Sequence, residues 1–230
     1  MTENKASSSR PNTYRRYWLS LYRRDVAQAR SIVETLRQTW TPWRIYLQLF
    51  APALELSGAE WAAGNISHRD EHFVTYHTLR FMRPVRHKLI RTPPAGPRAL
   101  ATGVGTDAHR IGLQMVCDFL NAANWRTRAL RTNERGTLRD AIAADQPQAL
   151  LFSIRYDRDL PEAHRLVADA RRSGFQGPIA IGGAAIESDP TRLQHLGGDL
   201  TAPHGLDLAR KLKPLFPDTN LSAFRTREAK

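Results

Sequence analysis

Arg98-Ala99-Leu100-Ala101-Thr102-Gly103-Val104, followed after Gly105 and Thr106 by Asp107-Ala108-His109-Arg110-Ile111-Gly112, decides the reading of this chain. The first seven residues predict a strand and residues 111–123 an amphipathic helix. His109 then falls on the loop between them, at the edge where open α/β sheets bind ligands. Asp107 can accept a hydrogen bond from one ring nitrogen of His109, which fixes the tautomer and makes the other nitrogen a better metal ligand. Gly112 lets the backbone approach a bulky ligand closely. Taken alone, a loop histidine is ordinarily just solvated, so the rest of the chain has to supply the other parts of a site.

Working outward, strands are predicted near 98–104, 126–131, 149–153, 178–182 and 199–201. The helices between and after them fall near 111–123, 135–145, 160–173, 189–196 and 204–215. Five such strand–helix units imply a five-stranded parallel sheet of flavodoxin-like type. Ser153 ends the third strand and Gly182-Gly183 ends the fourth, so both gather with His109 at the carboxyl edge of one sheet. A Gly-Gly pair after a strand is ordinarily a turn. The order Asp-x-His-x-x-Gly, then Ser, then Gly-Gly is what carries information.

Toward the N-terminus the period is helical. Residues 1–11, rich in Ser, Arg and Asn, are expected to be disordered, and a four-helix bundle is expected over 12–91, with helices near 14–21, 25–40, 42–62 and 67–88. Pro42 suits a first helical turn, Pro52 should kink the third helix, and Ser67 is a candidate N-cap with Asp70 and Glu71 behind it. Residues 92–97, with three prolines and a glycine, predict the linker to an α/β domain over 98–216, and 217–230 reads as a loosely ordered tail. The chain has 230 residues, one cysteine and a net charge of +12. A lone Cys117 excludes a disulfide framework and suggests a cytoplasmic setting. No apolar stretch approaches the roughly 20 residues a membrane span requires. The basic excess, including Arg15, Arg16, Arg23, Arg24, Arg30, Arg37 and Arg44, could attract an anionic partner. No nucleic-acid-binding signature accompanies it, and direct nucleic-acid binding is not expected.

The Asp107-x-His109-x-x-Gly112, Ser153 and Gly182-Gly183 series resembles the cobalamin-binding domain of methionine synthase, the mutases and corrinoid proteins, over roughly residues 97 to 215. The resemblance implies cobalamin bound base-off, with His109 as the lower cobalt ligand in place of the cofactor's own dimethylbenzimidazole and Asp107 behind it. Arg110, Ile111 and Gly112 would flank that ligand. Ser153, Gly182 and Gly183 would line the channel that takes the displaced nucleotide tail.

The helical region carries a second constellation: Trp61, nine residues, then Glu71-His72, with Gly64 between. With Trp61 closing one helix and Glu71 and His72 opening the next, the three can converge across a tight turn. A tryptophan and a Glu-His pair in a bundle are more often core and surface. In this spacing, however, the segment from Pro52 to Phe73 resembles the helical cap of the cobalamin-dependent photoreceptors, the light-sensitive repressors of carotenoid genes. The resemblance implies that Trp61, Glu71 and His72 pack over the upper face of adenosylcobalamin and shelter the adenosyl group. Two departures limit the transfer. A winged helix has no room before the bundle, and the residue after Trp61, a cobalt-capturing histidine in those repressors, is Ala62. His68, His72, His77 or water would have to take that place.

The resemblance therefore implies an adenosylcobalamin-binding light sensor, not an enzyme. Breakage of the cobalt–carbon bond would change its conformation or oligomeric state, as a dimer or higher homo-oligomer, and so signal to a protein partner. The overall plan is also similar to the photocobilins, which hold a bilin beside the corrinoid. Arg80, Arg83, Arg86, His77 and His87, with Arg155 and Tyr156, are the residues that would meet a biliverdin, although such side chains ordinarily face solvent. The alternative is a corrinoid methyl carrier serving a partner methyltransferase, since those proteins also carry a helical cap. A mutase subunit is a third reading, against which stands the missing substrate barrel.

Overall fold

The computed structural model describes residues 10–105, 110–130 and 138–225. The described chain divides into two compact units, residues 1–89 and 90–230.

The first unit is helical: α1 (Arg10–Tyr22), α2 (Val26–Thr39), α3 (Pro42–Ile45), α4 (Ala51–Ala62) and α5 (His68–Leu89). The helix α1 begins inside the stretch expected to be disordered. Arg24, in the left-handed region at φ 64°, turns the chain out of α1. Asp25 then caps α2 by accepting from the Gln28 amide at 2.9 Å. The third predicted helix is helical throughout but not of one type. Tyr46–Phe50 is a π-helical stretch between α3 and α4. Pro52, at the start of α4, lacks an N–H and its ring would clash with the carbonyl four residues back. Widening the helix there accommodates the ring at the position where the sequence signals an interruption. Ser67 and Asp70 form a reciprocal cap before α5: the Ser67 amide donates to Asp70 at 3.0 Å and the Asp70 amide to the Ser67 hydroxyl at 3.2 Å. The core gathers Tyr17, Leu21, Val33, Leu49, Phe50, Val74 and Phe81. The buried Tyr17 hydroxyl is satisfied by Thr78 at 3.0 Å.

The second unit is a parallel sheet with helices. Its strands are β1 (Arg98–Gly103), β2 (Arg126–Ala129), β3 (Ala149–Ser153) and β4 (Ile179–Gly182), in the order β2-β1-β3-β4. The helices are α6 (Arg110–Ala122), α7 (Leu138–Asp145), α8 (Leu160–Arg172), α9 (Ala184–Glu187), α10 (Arg192–His195) and α11 (Gly205–Leu212). The sheet has four strands, not the five expected. Asp199–Thr201 contributes only an isolated parallel bridge between Leu200 and Ala180. The cause is local. The Asp199 carboxylate accepts from the Ile179 amide at 2.7 Å and pairs with Arg171 at 2.5 Å, so the segment caps β4 instead of extending the ladder. The helix expected over 189–196 shrinks to α10 behind the Asp189 and Pro190 turn, and α9 precedes it.

Residues 95–97 dock on the sheet unit. The Ala95 amide donates to the Asn124 side chain and the Gly96 amide to the Asn124 carbonyl, both at 2.9 Å. A Cβ on Gly96 would lie 2.3 Å from that carbonyl. The expected loose tail is packed as far as Arg225: Thr219 and Phe224 are buried, and the Phe224 ring lies 5.8 Å from Phe119 of α6. No helix among the described residues is long and apolar enough to cross a membrane.

Candidate functional site

In a parallel sheet, residues in register stand side by side and alternate between faces. Leu100, Leu150 and Ile179 form one row; Ala101, Leu151 and Ala180 the next; Thr102, Phe152 and Ile181 the third; and Gly103, Ser153 and Gly182 the last. Leucine, phenylalanine and isoleucine of the first and third rows enter one apolar core with Val104, Ile154, Ala163 and Val167. The second and fourth rows belong to the opposite face. That face ends at the carboxyl edge in two glycines and a serine, all half-buried. β1 lies between β2 and β3, so the chain reverses its direction of winding at β1 and β3, where open sheets leave a crevice beyond the strand ends. The row falls there. The register brings Ser153 beside Gly182, as the sequence suggested, and adds Gly103, which sequence reading overlooked. The signal was available: three neighbouring strands all end in a small residue.

The two glycines after β4 do different work. Gly183 has φ 103° and ψ 169°, a region open to glycine almost alone. A Cβ there would lie 2.3 Å from the Ile154 carbonyl oxygen. Gly182 has no such constraint, because a Cβ would meet only the Ala202 carbonyl at 3.8 Å. Gly112, exposed in the first turns of α6, likewise has nothing within 4 Å of a Cβ. A helical glycine costs about 1 kcal/mol against alanine, and no neighbour in the fold requires it. Gly112 thus faces open space and Gly182 has room for a methyl group, so the packing of the fold itself demands neither glycine, and the row at the carboxyl edge forms a shallow cradle.

Gly105, at φ 93°, lies just past β1, and a Cβ there would overlap the Asp159 carboxylate. Asp159 is a second residue that sequence reading passed over. Ile111 is half-buried near the start of α6. Asp107 and His109 lie outside the described residues, as does the side chain of Arg110.

In the helical unit, Gly64 at φ 75° ends α4, with its amide donating to the Trp61 carbonyl at 3.0 Å. The turn brings the Trp61 ring 5.8 Å from His68, whose ring lies 4.0 Å edge-on to His72. His68 therefore joins Trp61 and His72 in one aromatic cluster. The Glu71 carboxylate accepts from Thr75 at 2.9 Å and stands 3.5 Å from His72 Nδ1. Of the residues considered for a bilin, Arg80, Arg83, Arg86 and His87 are exposed on α5, and Arg80 donates to Tyr76 at 3.1 Å. His77 is half-buried, and burial together with the Arg80 and Arg24 charges holds its pKa below the ordinary imidazole value. Arg155 and Tyr156 belong to the other unit, immediately past β3. Cys117 is buried on α6, which pushes its thiol up to about 12.

Residues 97–208 match the family model described as the B12 binding domain. This match covers the sheet and the cradle at its carboxyl edge, and it supports corrinoid binding by the second unit. No match emerges among curated proteins. Among solved structures the chain is similar to a monomethylamine corrinoid protein of Methanosarcina barkeri, with a TM-score of 0.74 and 16% identity over 90% of this chain and 100% of that one. It is also similar to the methanol:cobalamin methyltransferase complex of the same organism, with a TM-score of 0.50 and 13% identity over 95% and 85% of the two chains. At these identities the likeness is one of fold.

Proposed function

We propose that the α/β unit holds cobalamin base-off and that the chain serves as a corrinoid carrier, passing a methyl group to or from a partner methyltransferase without turning over a substrate alone. The observation that carries the reading is the row Gly103, Ser153, Gly182 at the carboxyl edge of a sheet whose sequence matches the B12 binding domain. In this reading the row of small residues would take the nucleotide tail, Gly183 holds the turn that keeps the row open, and His109, with Asp107 two residues before it, would supply the protein's nitrogen to the cobalt. The bound corrinoid would supply a cobalt centre able to accept and release an alkyl group. The fold likeness to the monomethylamine corrinoid protein extends over 90% of this chain, the helical unit included, and favours the carrier.

A second reading rests on a specific observation, the convergence of Trp61, His68 and His72. An indole beside His68, with His72 packed on that imidazole, could shelter an adenosyl group. The chain would then be a light sensor, altering its conformation or homo-oligomeric state for a signalling partner, with biliverdin as a second chromophore. Loss of the adenosyl group can drive such a change only if it contacts two arrangements of the protein differently.

Absorption spectra of the full chain loaded with adenosyl- or methylcobalamin, in darkness and after green illumination, separate the two. The carrier reading expects reversible methyl loading and no light-driven change in elution volume. The sensor reading expects adenosylcobalamin to be retained in the dark, lost cooperatively with a size or shape change in light, and released by Trp61→Ala. His109→Ala should abolish the base-off, histidine-ligated spectrum in either case. An unchanged spectrum and affinity in that variant would remove the lower-ligand assignment.

A further inference from the structure

We propose that Arg155 receives the phosphodiester of the nucleotide tail, and so makes the site selective for complete corrinoids; this rests on the corrinoid reading above. Arg155 lies two residues beyond Ser153, and Ile154 between them still holds the ladder through its amide, which donates to Gly182 O at 2.8 Å. Ile154 points into the apolar core with Phe152. Alternation of an extended chain returns position 155 to the side of Ser153, the side on which the row of small residues leaves space.

The charges around it are already taken. Asp157 is held by both terminal nitrogens of Arg192, at 2.6 and 2.9 Å. Asp159 packs on Gly105 and pairs with Arg158 at 4.0 Å. Arg155 is different: its Nε is buried and has no hydrogen-bond partner among the described residues, and its guanidinium carbon lies 5.6 Å from the centre of the Tyr156 ring. A buried donor of a cation left unmatched forfeits its hydration without return. An anion with paired oxygens at the end of the cradle would satisfy it, and the planar guanidinium fork fits a phosphate in two-point contact. Cobalamin carries one such anion, the phosphodiester between its corrin side chain and its nucleotide. Cobinamide, which lacks the nucleotide and this phosphate, does not.

That difference supplies the test. Dissociation constants of hydroxocobalamin and diaquocobinamide are measured by spectral titration on the full chain, its Arg155→Ala variant and its Arg155→Lys variant, at low and high salt. The expected result is that Arg155→Ala weakens cobalamin roughly tenfold, a charged hydrogen bond's worth, and leaves cobinamide unchanged. Arg155→Lys should fall between, and salt should narrow the gap. Equal weakening of both ligands, or of neither, overturns the assignment. An effect confined to added biliverdin overturns it too, giving the guanidinium to a propionate. A wild-type chain that binds neither corrinoid overturns the corrinoid reading itself, an outcome distinct from either. Circular dichroism and melting curves of the variants matched to wild type exclude misfolding as the cause of a loss.

Discussion

Gly182 and Gly183 are adjacent, and the same substitution should have opposite consequences at the two positions. Gly183→Ala places a side chain on a backbone at φ 103° and ψ 169°, a strained state that costs on the order of 1–3 kcal/mol outside glycine. Its Cβ would also lie 2.3 Å from the Ile154 oxygen, which accepts from the Ala185 amide at 3.3 Å. Losing that bond adds about 1 kcal/mol. A total of about 2–4 kcal/mol should lower the melting temperature of the α/β unit by roughly 5–15 °C. Gly182→Ala meets only a carbonyl oxygen at 3.8 Å, so its stability should stay within about 0.5 kcal/mol of wild type. Its methyl group would stand instead in the row proposed to take the nucleotide tail. Overfilling a packed contact costs about 1–3 kcal/mol, which weakens cobalamin by about fivefold to 150-fold. Calorimetry without ligand and spectral titration with hydroxocobalamin give the two axes. A Gly182→Ala variant that binds at wild-type affinity would refute the cradle, and a Gly183→Ala variant that melts with wild type would refute the backbone argument.

Three further outcomes follow from named groups. Burial holds the Cys117 thiol up to about 12, above the unfolded value of about 8.5; its contribution to stability is complete below that unfolded value and is lost as pH rises through it toward 12. At pH 8 the native thiol should resist Ellman's reagent until denaturant is added, and rapid native labelling would contradict the burial. His77 has its pKa lowered by burial and then by Arg80 and Arg24, so below about pH 6.5 the unfolded chain takes up the proton first and stability falls with pH. His77→Gln should flatten that acid limb, and an identical limb in the variant counts against it. Asp199→Ala strands the Ile179 amide and releases Arg171, at a cost of about 1–3 kcal/mol in chemical denaturation. Asp199→Asn, which keeps an acceptor, should recover most of it.

The parts of this fold legible in the sequence are those where one local pattern has one physical solution. Ala149–Ser153 was read at its observed bounds because a short apolar run buried on both faces, next to a small polar residue, has few other homes. Ser67 was readable as a cap because its partner Asp70 lies three residues away. The misreadings arise where a distant residue decides. Asp199–Thr201 looks like a strand until Arg171 and the Ile179 amide claim the carboxylate. The segment after Pro217 looks like a polar tail until Asn220 finds Ala123, just past α6, and Phe224 finds Phe119 on it. Pro52 signalled an interruption, and its form is a π-helical stretch ahead of the ring in which Tyr46, Leu49 and Phe50 are buried. Gly103 escaped notice because its meaning lies in its register with Ser153 and Gly182, a relation between strands 50 and 79 residues apart in sequence.

That register also explains why the cradle and the stability of the sheet pull against each other. The third row, Thr102, Phe152 and Ile181, fills its face with bulk, while the next row has almost none. Glycine within a strand is costly because it loses the most backbone freedom and packs nothing, so Gly103 and Gly182 weaken the strand ends where they stand. Two features compensate at the same edge. The Val104 amide donates to the Ser153 carbonyl at 2.9 Å and the Ile154 amide to Gly182 at 2.8 Å, so the ladder continues one residue past the small row. Val104 and Ile154 then return the chain to the apolar core. The open row is thus braced from the opposite face. The row can therefore stay open without parting the strands, and Arg155, whose buried Nε has no hydrogen-bond partner among the described residues, stands at the next position of the same alternation.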